Sequence, residues 1–250
     1  MKALVILPTY NEVGNLGPLL EAILEQGEEF DVLVIDDGSP DGTGLLAEHY
    51  KSLYPQRIEV IHRQGKLGLA TAYLAGFRYG LNRGYQFLFE MDADFSHSPH
   101  YLPKFLETMQ RERADLVIGS RYAPGGGVVH WSWPRWALSR AGSWFAGRML
   151  HLPVKDATGG FKCFRREVLE AIDLDEIRAT GYGFQIEMTY RALEHGFRVV
   201  ELPIVFEDRR EGKSKMSAAI VVEALWLVTQ LRLAEGTRLK REPKGERVRS

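Results

Sequence analysis

Short apolar segments alternate along this chain with longer stretches whose leucines recur at helical spacing. Leu16, Leu19, Leu20 and Ile23 form one such repeat, with members three and four residues apart. This alternation is typical of β-α-β units, whose strands pair in a parallel sheet between helices. The predicted strands are residues 3–7, 32–36, 58–62, 87–91, 116–118 and 199–206. The sequence therefore predicts an α/β fold with a mostly parallel central sheet flanked by helices.

Polar motifs follow several of these predicted strands. Residues 8–12 follow the first, residues 36–43 the second, and Asp92-Ala93-Asp94 the fourth. Ligands in parallel sheets bind beyond the carboxyl ends of the strands, where these motifs would meet. In an extended segment Asp92 and Asp94 share one side, and two carboxylates suit Mg²⁺ or Mn²⁺. An isolated Asp-x-Asp also occurs as a simple strand end, but the neighbouring motifs favour a metal site.

Composition limits the domain organisation and the partners. The chain has 250 residues, 45% of them hydrophobic, which suffices for one large domain with an appendage. We predict a domain over residues 1–217, an apolar or amphipathic helix over 218–235 and a disordered tail over 236–250. The net charge of -1 argues against nucleic-acid binding. The tail carries six basic and two acidic residues, a pattern of either a solubilising tail or a segment attracted to anionic membranes.

The cysteine content and the late apolar segment bear on location. Cys163 is the only cysteine, so no internal disulfide can form and a reducing compartment is expected. Residues 218–233 are interrupted by polar and charged side chains and fall short of the ~20 apolar residues that span a bilayer. The predicted location is therefore cytoplasmic, with peripheral binding to the cytoplasmic face of a membrane.

Further motifs extend the pattern, and two common phosphate-binding motifs are missing. No Walker A loop occurs, and no G-x-G-x-x-G follows the first strand, which disfavours P-loop NTPases and standard dinucleotide oxidoreductases. Residues 119–122 (Gly-Ser-Arg-Tyr), 158–161 (Thr-Gly-Gly-Phe) and 208–215 (Asp-Arg-Arg-Glu-Gly-Lys-Ser-Lys) follow the strand-end motifs in order. With those motifs, the chain over residues 3–233 resembles the family 2 glycosyltransferases. The likeness is greatest to dolichol-phosphate mannose synthases of the form without C-terminal transmembrane helices.

The resemblance implies a single GT-A (Rossmann-like) nucleotide-sugar-binding domain and a specific reaction. An inverting, metal-dependent enzyme would transfer mannose from GDP-mannose to dolichyl or another polyprenyl phosphate. The implied catalytic residues are Asp92, Asp94 and Arg209, and the implied ligands of Mg²⁺ or Mn²⁺ are Asp92, Asp94 and Ser96. Some relatives carry Gln where this chain has Ser96. The implied donor-binding residues are Pro8, Tyr10, Glu12, Ile35, Asp37, Lys66, Asp92, Ala93, Asp94, Ser96, Arg209 and Lys215.

A lipid phosphate acceptor would need a cationic pocket beside an apolar surface. It is already an anion at neutral pH, so no general base is required. The candidates for its phosphate are Arg121, Arg135, Ser139 and Arg140, and Glu187 is a supporting residue. In residues 136–150 we expect one apolar stripe (Leu138, Ala141, Phe145 and Met149) and an opposite polar face (Ser139, Arg140, Ser143 and Gly147). This helix is either a membrane-interface helix or an ordinary core helix.

Several functions stay open on the sequence alone. UDP-glucose could replace GDP-mannose with the same acceptor. A sugar-phosphate nucleotidyltransferase would share the sheet and the metal carboxylates, although no G-x-G-T-R-like loop follows the first strand. A non-catalytic binding subunit would gain little from two metal-binding aspartates. Membrane contact would be direct, or would pass through a small membrane-protein partner docked on residues 218–235.

Overall fold

A computed structural model describes residues 2–177, 179, 181–208, 228 and 229. Within these residues, seven strands form one sheet in the order β3-β2-β1-β4-β7-β5-β8, and β6 pairs with β9 in a small second sheet. The strands are β1 (Ala3–Thr9), β2 (Phe30–Asp36), β3 (Ile58–His62), β4 (Phe87–Glu90), β5 (Leu116–Ser120), β6 (Gly127–Val129), β7 (Lys162–Arg165), β8 (Val199–Pro203) and β9 (Val205–Glu207). The predicted α/β fold is confirmed.

Helices connect these strands and cover both faces of the main sheet. They are α1 (Val13–Leu24), α2 (Thr43–Leu53), α3 (Leu69–Asn82), α4 (Leu102–Arg111), α5 (Trp133–Met149), α6 (Arg166–Ala171) and α7 (Gly181–Glu194), with a 3-10 turn at Pro99–Tyr101. All seven positions of β2 are buried, as expected for a parallel strand covered on both faces. Two hydrophobic clusters, one on each side of the sheet, form the core. None of the helices in this described part has the length and hydrophobicity to span a bilayer.

Glycines bring α3 unusually close to the sheet. A Cβ on Gly76 would lie 2.5 Å from Ile6 Cγ2, and one on Gly80 would lie 2.4 Å from Leu88 Cδ2. Such distances leave no room for a side chain. The close approach brings Tyr73, which is fully buried, under the end of β4.

The strand β7 is a departure from the predicted topology. It pairs antiparallel with both β4 and β5, in the middle of an otherwise parallel sheet. It is only four residues long and begins with Lys162, a residue type that is rarely buried. Local patterning therefore gave no strand signal, and the prediction of strands was incomplete here.

The prediction of one strand over residues 199–206 is wrong. The chain forms β8, which pairs with β5, and then β9, which pairs with β6. Ile204 stands between them: its N–H donates to the Ser120 carbonyl (3.0 Å), and its carbonyl accepts from Gly127 N (3.0 Å). The chain thus crosses from one sheet to the other at Ile204, which a continuous apolar pattern does not reveal.

The predicted C-terminal helix and tail, residues 218–235 and 236–250, lie outside the described residues except for two positions. Val228 is buried in the core cluster on the α3 side of the sheet, and Thr229 is exposed. The division of the chain at residue 217 stays a prediction.

Candidate active site

A cavity of about 300 Å³ opens at the carboxyl ends of β1, β2 and β4. The parallel arrangement of these strands brings the polar motifs that follow them to one edge. Ten of the predicted site residues line it: Pro8, Tyr10, Glu12, Asp37, Lys66, Asp92, Ala93, Asp94, Arg121 and Arg135. Ile35, Ser96, Ser139, Arg140 and Glu187 are described but do not line it. Arg209 and Lys215 lie outside the described residues.

The two aspartates after β4 are held by their surroundings. Tyr73 Oη donates to Asp92 Oδ1 (3.4 Å), and burial raises the pKa of Tyr73 well above its usual range, so it remains a donor. Asp94 is 3% exposed and accepts from the Ser96 backbone N–H at 3.0 Å. Both carboxylates line the cavity, and each is fixed by a neighbouring group before any ligand arrives.

This part of the cavity fits a hard divalent cation that takes only a few of its ligands from the protein. No three His, Cys, Asp or Glu side chains of the described residues come together as a metal-binding group. Mg²⁺ and Mn²⁺ need only one or two carboxylates when water and substrate phosphates complete the shell. Ser96 Oγ is buried without a hydrogen-bond partner in the described structure, so a hydroxyl is available nearby. Asp92 and Asp94, with Ser96 beside them, could hold the ion.

His97 is a site residue to which the sequence assigned no role. It is 3% exposed and lines the cavity, and its ring stacks on Phe161 at 4.8 Å between centroids. The Asp92 backbone N–H donates to His97 Nδ1 (3.1 Å). Burial lowers the pKa of His97, against the opposing charges of Asp92 and Asp94. A neutral ring that accepts at Nδ1 carries its proton on Nε2.

The opposite side of the cavity contains the residues after β1 and β2. Lys66 Nζ lies 4.8 Å from the centre of the Tyr10 ring. Asp37 forms an ion pair with Arg63, and the sequence assigned no role to Arg63. The neighbouring Asp36 accepts from Thr9 Oγ1 (3.1 Å) and from the Ser39 backbone N–H (3.1 Å). Asp36 therefore holds the loop, which leaves Asp37 as the aspartate that lines the cavity.

Ile35 does not reach this cavity. It is fully buried in the core cluster on the α3 side of the sheet. Only its backbone, as part of β2, approaches the carboxyl edge. The Ile35 side chain does not line the cavity, so no side-chain contact supports its predicted role in donor binding.

Arg121 is buried and paired. Its Nε and Nη2 donate to the two oxygens of Asp156 (2.7 and 2.6 Å), and Nη2 also donates to Thr158 Oγ1 (2.9 Å). Burial alone would raise the pKa of Asp156, but the Arg121 charge and hydrogen bonds outweigh it and lower that pKa. Arg121, a predicted contact of the acceptor phosphate, is thus an arginine whose charge is balanced by a carboxylate. The sequence had assigned no role to that carboxylate.

The other three candidates for acceptor binding lie along α5. Arg135 Nη1 donates to Asp208 Oδ1 (2.8 Å), and its guanidinium lies 4.2 Å from the Trp131 ring centre. Arg140 lies over the rings of Tyr122 and Trp136, at 5.4 and 5.8 Å. Ser139 neighbours Tyr122 and helps to hold its pKa down against burial, which raises it. Only Arg135 of these three reaches the cavity.

The predicted apolar stripe of α5 is wrong in part: Phe145 and Met149 pack against the core cluster on the α3 side of the sheet, but Leu138 and Ala141 are exposed. Leu138 is 46% exposed, whereas Ser143 of the predicted polar face is fully buried. Ser143 Oγ contacts Thr158 Oγ1 at 2.9 Å, so a polar contact anchors the helix together with the apolar packing of Ala146, Phe145 and Met149. Trp133 and Trp144 are 74% and 69% exposed. The outer face of α5 is therefore aromatic and basic.

Buried charges lie behind the cavity. Glu90 on β4 and Lys162 on β7 are register partners and are both fully buried. Burial raises the pKa of Glu90 to about 7, against the opposing charge of Lys162. Burial likewise lowers the pKa of Lys162 to about 8. Lys162 Nζ donates to the backbone carbonyl of Gln185 (2.6 Å), which fixes the N-terminal half of α7 against the sheet.

Glu187, the predicted supporting residue, acts on the same helix. It is 3% exposed, accepts from the Ala179 backbone N–H (3.2 Å), and accepts from Arg191 Nε (2.9 Å). It therefore holds the segment that leads into α7 and does not face the cavity.

Solved structures define the class to which this fold belongs. Glucosyl-3-phosphoglycerate synthase from Mycobacterium tuberculosis, crystallised with Mn²⁺, uridine diphosphate and glucosyl-3-phosphoglycerate, is similar to this chain with a TM-score of 0.67. The two are 17% identical, and the match covers 93% of this chain and 80% of that one. The same enzyme with Mn²⁺ and UDP-glucose gives a TM-score of 0.64. The fold is that of the GT-A glycosyltransferases.

Sequence comparison gives the family. The family model described as glycosyl transferase family 2 matches residues 4–173, and this chain belongs to that family. An undecaprenyl-phosphate mannosyltransferase of Micrococcus luteus is 49% identical over 243 residues, which cover 96% of this chain and 99% of that protein. A polyprenol monophosphomannose synthase of Mycolicibacterium smegmatis is 47% identical over 229 residues, covering 92% and 86%. The predicted family and the predicted class of enzyme, a glycosyltransferase, are confirmed.

Proposed function

We propose that this protein transfers mannose from GDP-mannose to a polyprenyl phosphate, with inversion at the anomeric carbon. The supporting observation is the convergence of Asp92 and Asp94 with Tyr10 and Asp37 on one cavity at the carboxyl edge of the sheet. Similarity to a named mannosyltransferase over nearly the full length of both chains supports the hexose and the acceptor class. The identity of the nucleotide as GDP is proposed from the resemblance of the sequence motifs to those of dolichol-phosphate mannose synthases.

The donor would span the cavity from the β1 and β2 side to the β4 side. Tyr10 offers a ring face to the base, and Asp37, oriented by Arg63, offers carboxylate oxygens to the ribose. Mg²⁺ or Mn²⁺ bound by Asp92 and Asp94, with Ser96 nearby, would neutralise charge that develops on the leaving diphosphate. By resemblance, Arg209 and Lys215 would contact the same diphosphate.

The acceptor needs positioning rather than activation. An oxygen of the lipid phosphate would attack the anomeric carbon as the bond from that carbon to the diphosphate oxygen breaks. No proton has to be removed from this nucleophile, so orientation and charge stabilisation provide the rate enhancement. Arg135, at the cavity, and Arg140, on the adjoining face of α5, could direct the phosphate. Arg121, through its contacts with Asp156, would shape the wall between them.

The exposed face of α5 supports peripheral binding to a membrane. Trp133 and Trp144 project from it, and Arg140 and Arg148 lie on the same groove as Trp136 and Trp144. Indole rings beside basic groups are suited to the interface of an anionic bilayer. This surface would hold the polyprenyl chain in the lipid while its phosphate reaches the cavity. Residues 218–235 and the basic tail would add to the contact, directly or through a small membrane-protein partner.

A transfer assay tests the proposal. Purified protein is incubated with labelled GDP-mannose or UDP-glucose, Mg²⁺ or Mn²⁺ and a polyprenyl phosphate, and the label that enters organic solvent is measured. We expect transfer from GDP-mannose that stops with a chelator. Asp94→Asn should reduce transfer by at least about 100-fold, as expected for loss of a group that stabilises the transition state. Asp173→Asn, an exposed carboxylate outside the cavity, is the control.

Three outcomes would contradict the proposal. Preferential transfer from UDP-glucose would show that the donor is UDP-glucose and not GDP-mannose. Undiminished transfer by Asp94→Asn would show that Asp94 is not needed to bind the metal ion. Release of pyrophosphate from a nucleoside triphosphate and a sugar phosphate would instead identify a nucleotidyltransferase.

A further inference from the structure

A recess in the cavity wall lies at Gly160, between His97 and Gln185. A Cβ on Gly160 would lie 3.7 Å from Gln185 Nε2 and 3.9 Å from His97 Cε1. Both distances are ordinary van der Waals contacts, and Gly160 is not among the glycines with positive φ. Neither the backbone conformation nor a clash requires glycine here. The effect of the missing side chain is to leave space open on the cavity side, since Gly160 lines the cavity.

His97 presents one hydrogen-bond donor to this recess. Its Nδ1 is occupied as an acceptor of the Asp92 N–H, which orients the ring, and stacking on Phe161 fixes its plane. The edge of the Phe206 ring packs against the same imidazole at 5.4 Å. The remaining nitrogen, Nε2, therefore carries the proton of the neutral ring and is the atom left to donate.

Gln185 supplies the polar group on the other side. It is 2% exposed and lines the cavity, and neither Oε1 nor Nε2 has a hydrogen-bond partner in the described structure. Its amide is near enough to Glu90 to oppose the rise in the pKa of that carboxyl, but without hydrogen-bond geometry. Buried amides without partners are uncommon and cost free energy. Rotation of this amide toward the recess would supply both a donor and an acceptor.

We propose that His97, Gly160 and Gln185 form the hexose-binding wall of the donor site, with His97 Nε2–H donating to a sugar hydroxyl. The inference rests on the proposed function and extends it to the part of the site that distinguishes one hexose from another. The wall is made of neutral groups, and Arg121, whose charge acts on His97, is balanced by Asp156. A neutral, hydroxyl-rich ring suits such a wall better than a phosphate does, because hydroxyls pair with neutral donors and acceptors.

Filling the recess tests the location. In Gly160→Ala the added methyl contacts its neighbours without overlap, so the thermal unfolding temperature should stay near that of wild type. We expect the affinity for GDP, measured by calorimetry with Mn²⁺, to change by less than about 2-fold, and the affinity for GDP-mannose to fall by about 10-fold or more. Gly142→Ala, on α5 with nothing within 4 Å of its Cβ, is the matched control and should change neither.

Two substitutions of His97 separate hexose binding from support of Asp92. Asn can place an oxygen near the Nδ1 position and lacks a group at Nε2, whereas Gln can place an amide nitrogen near the Nε2 position. If Nε2–H binds the hexose, His97→Asn should lower kcat/KM for GDP-mannose by about 10-fold. It should also shrink the preference for GDP-mannose over GDP-glucose, and His97→Gln should restore part of both. A purely structural role predicts the reverse order and an unchanged hexose preference.

The possible results distinguish failure of the hexose-binding wall from failure of the proposed function. Equal weakening of GDP and GDP-mannose by Gly160→Ala, no weakening of either, or an unchanged hexose preference in His97→Asn would overturn the hexose-binding wall while the proposed function stands. Wild-type protein that binds neither nucleotide sugar would overturn the proposed function, and the wall with it.

Discussion

Breaking the buried ion pair between Arg121 and Asp156 by removing one of its two partners should strongly destabilise the protein. The two side chains are 7% and 0% exposed. Asp156 accepts from Arg121 Nε at 2.7 Å, from Nη2 at 2.6 Å and from the Arg121 backbone N–H at 2.9 Å. Asp156→Asn removes the negative charge and one acceptor, while the guanidinium stays buried. The substitution therefore leaves a charge without its counter-charge in a region shielded from water.

The expected cost follows from that geometry. Breaking a buried ion pair by removing one partner costs about 3–5 kcal/mol. For a chain of this size, each kcal/mol lowers the unfolding temperature by about 2–4 °C. Asp156→Asn should thus lower it by roughly 6 to 20 °C. Because the folded-state pKa of Asp156 is below its ordinary 3.8, this stabilisation is present above about pH 4 and is lost only as the pH falls further.

Urea unfolding of a double-mutant cycle measures the interaction itself. The variants are Asp156→Asn, Arg121→Met and the two combined, at pH 7. Removing both charges should cost at least about 2 kcal/mol less than the sum of the two single substitutions, because the double variant leaves no unpaired charge. Single costs that add within about 0.5 kcal/mol would show that the two charges do not depend on each other for stability.

Three further expectations come from other parts of the fold. Gly76→Ala should destabilise the protein by about 1–3 kcal/mol in urea unfolding, because its Cβ would lie 2.5 Å from Ile6 Cγ2; a stable variant would contradict the close approach of α3. Burial raises the folded-state pKa of Glu90 to about 7, so the contribution of Glu90 to stability falls as the pH rises from about 5 to 7. The unfolding temperature of Glu90→Gln should therefore rise relative to that of the wild type as the pH increases over this range. Combined Trp133→Ser and Trp144→Ser should reduce flotation with anionic vesicles several-fold and leave the circular dichroism spectrum unchanged; equal flotation would exclude α5 as the membrane contact.

Features that depend on local periodicity could be predicted from the sequence. Most of the main parallel strands were found, because strands buried on both faces read as continuous apolar runs, as β2 does. The meeting of Asp37 and Asp92 at one cavity also followed, since parallel strands end at a common edge. The antiparallel β7 did not follow, because its first residue, Lys162, is charged yet fully buried.

Features that depend on long-range partners could not be predicted. Arg121 and Asp156 are separated by 35 positions, and Asp37 and Arg63 by 26. No pattern in the sequence near Arg121 or Arg63 indicates which carboxylate pairs with it. The role of His97 was missed for a related reason: only the turn after Asp92 and the ring of Phe161 reveal that its Nδ1 is occupied and its plane is fixed.

Pairing of the arginines has a consequence for how charge is distributed during the proposed transfer. Arg63, Arg121 and Arg135 are each paired with a carboxylate, which orients them but removes most of their net attraction for a distant anion. Of these, Arg121 and Arg135 line the cavity and can stabilise an oxyanion at contact distance, where a hydrogen-bond donor acts regardless of the net charge behind it. In the proposed reaction, attraction of the diphosphate over a distance would come from the metal ion, from Lys66, which lines the cavity, and from Arg209 and Lys215. Fixed donors shape the site, and the ion and those cations would carry the charge that changes during the reaction.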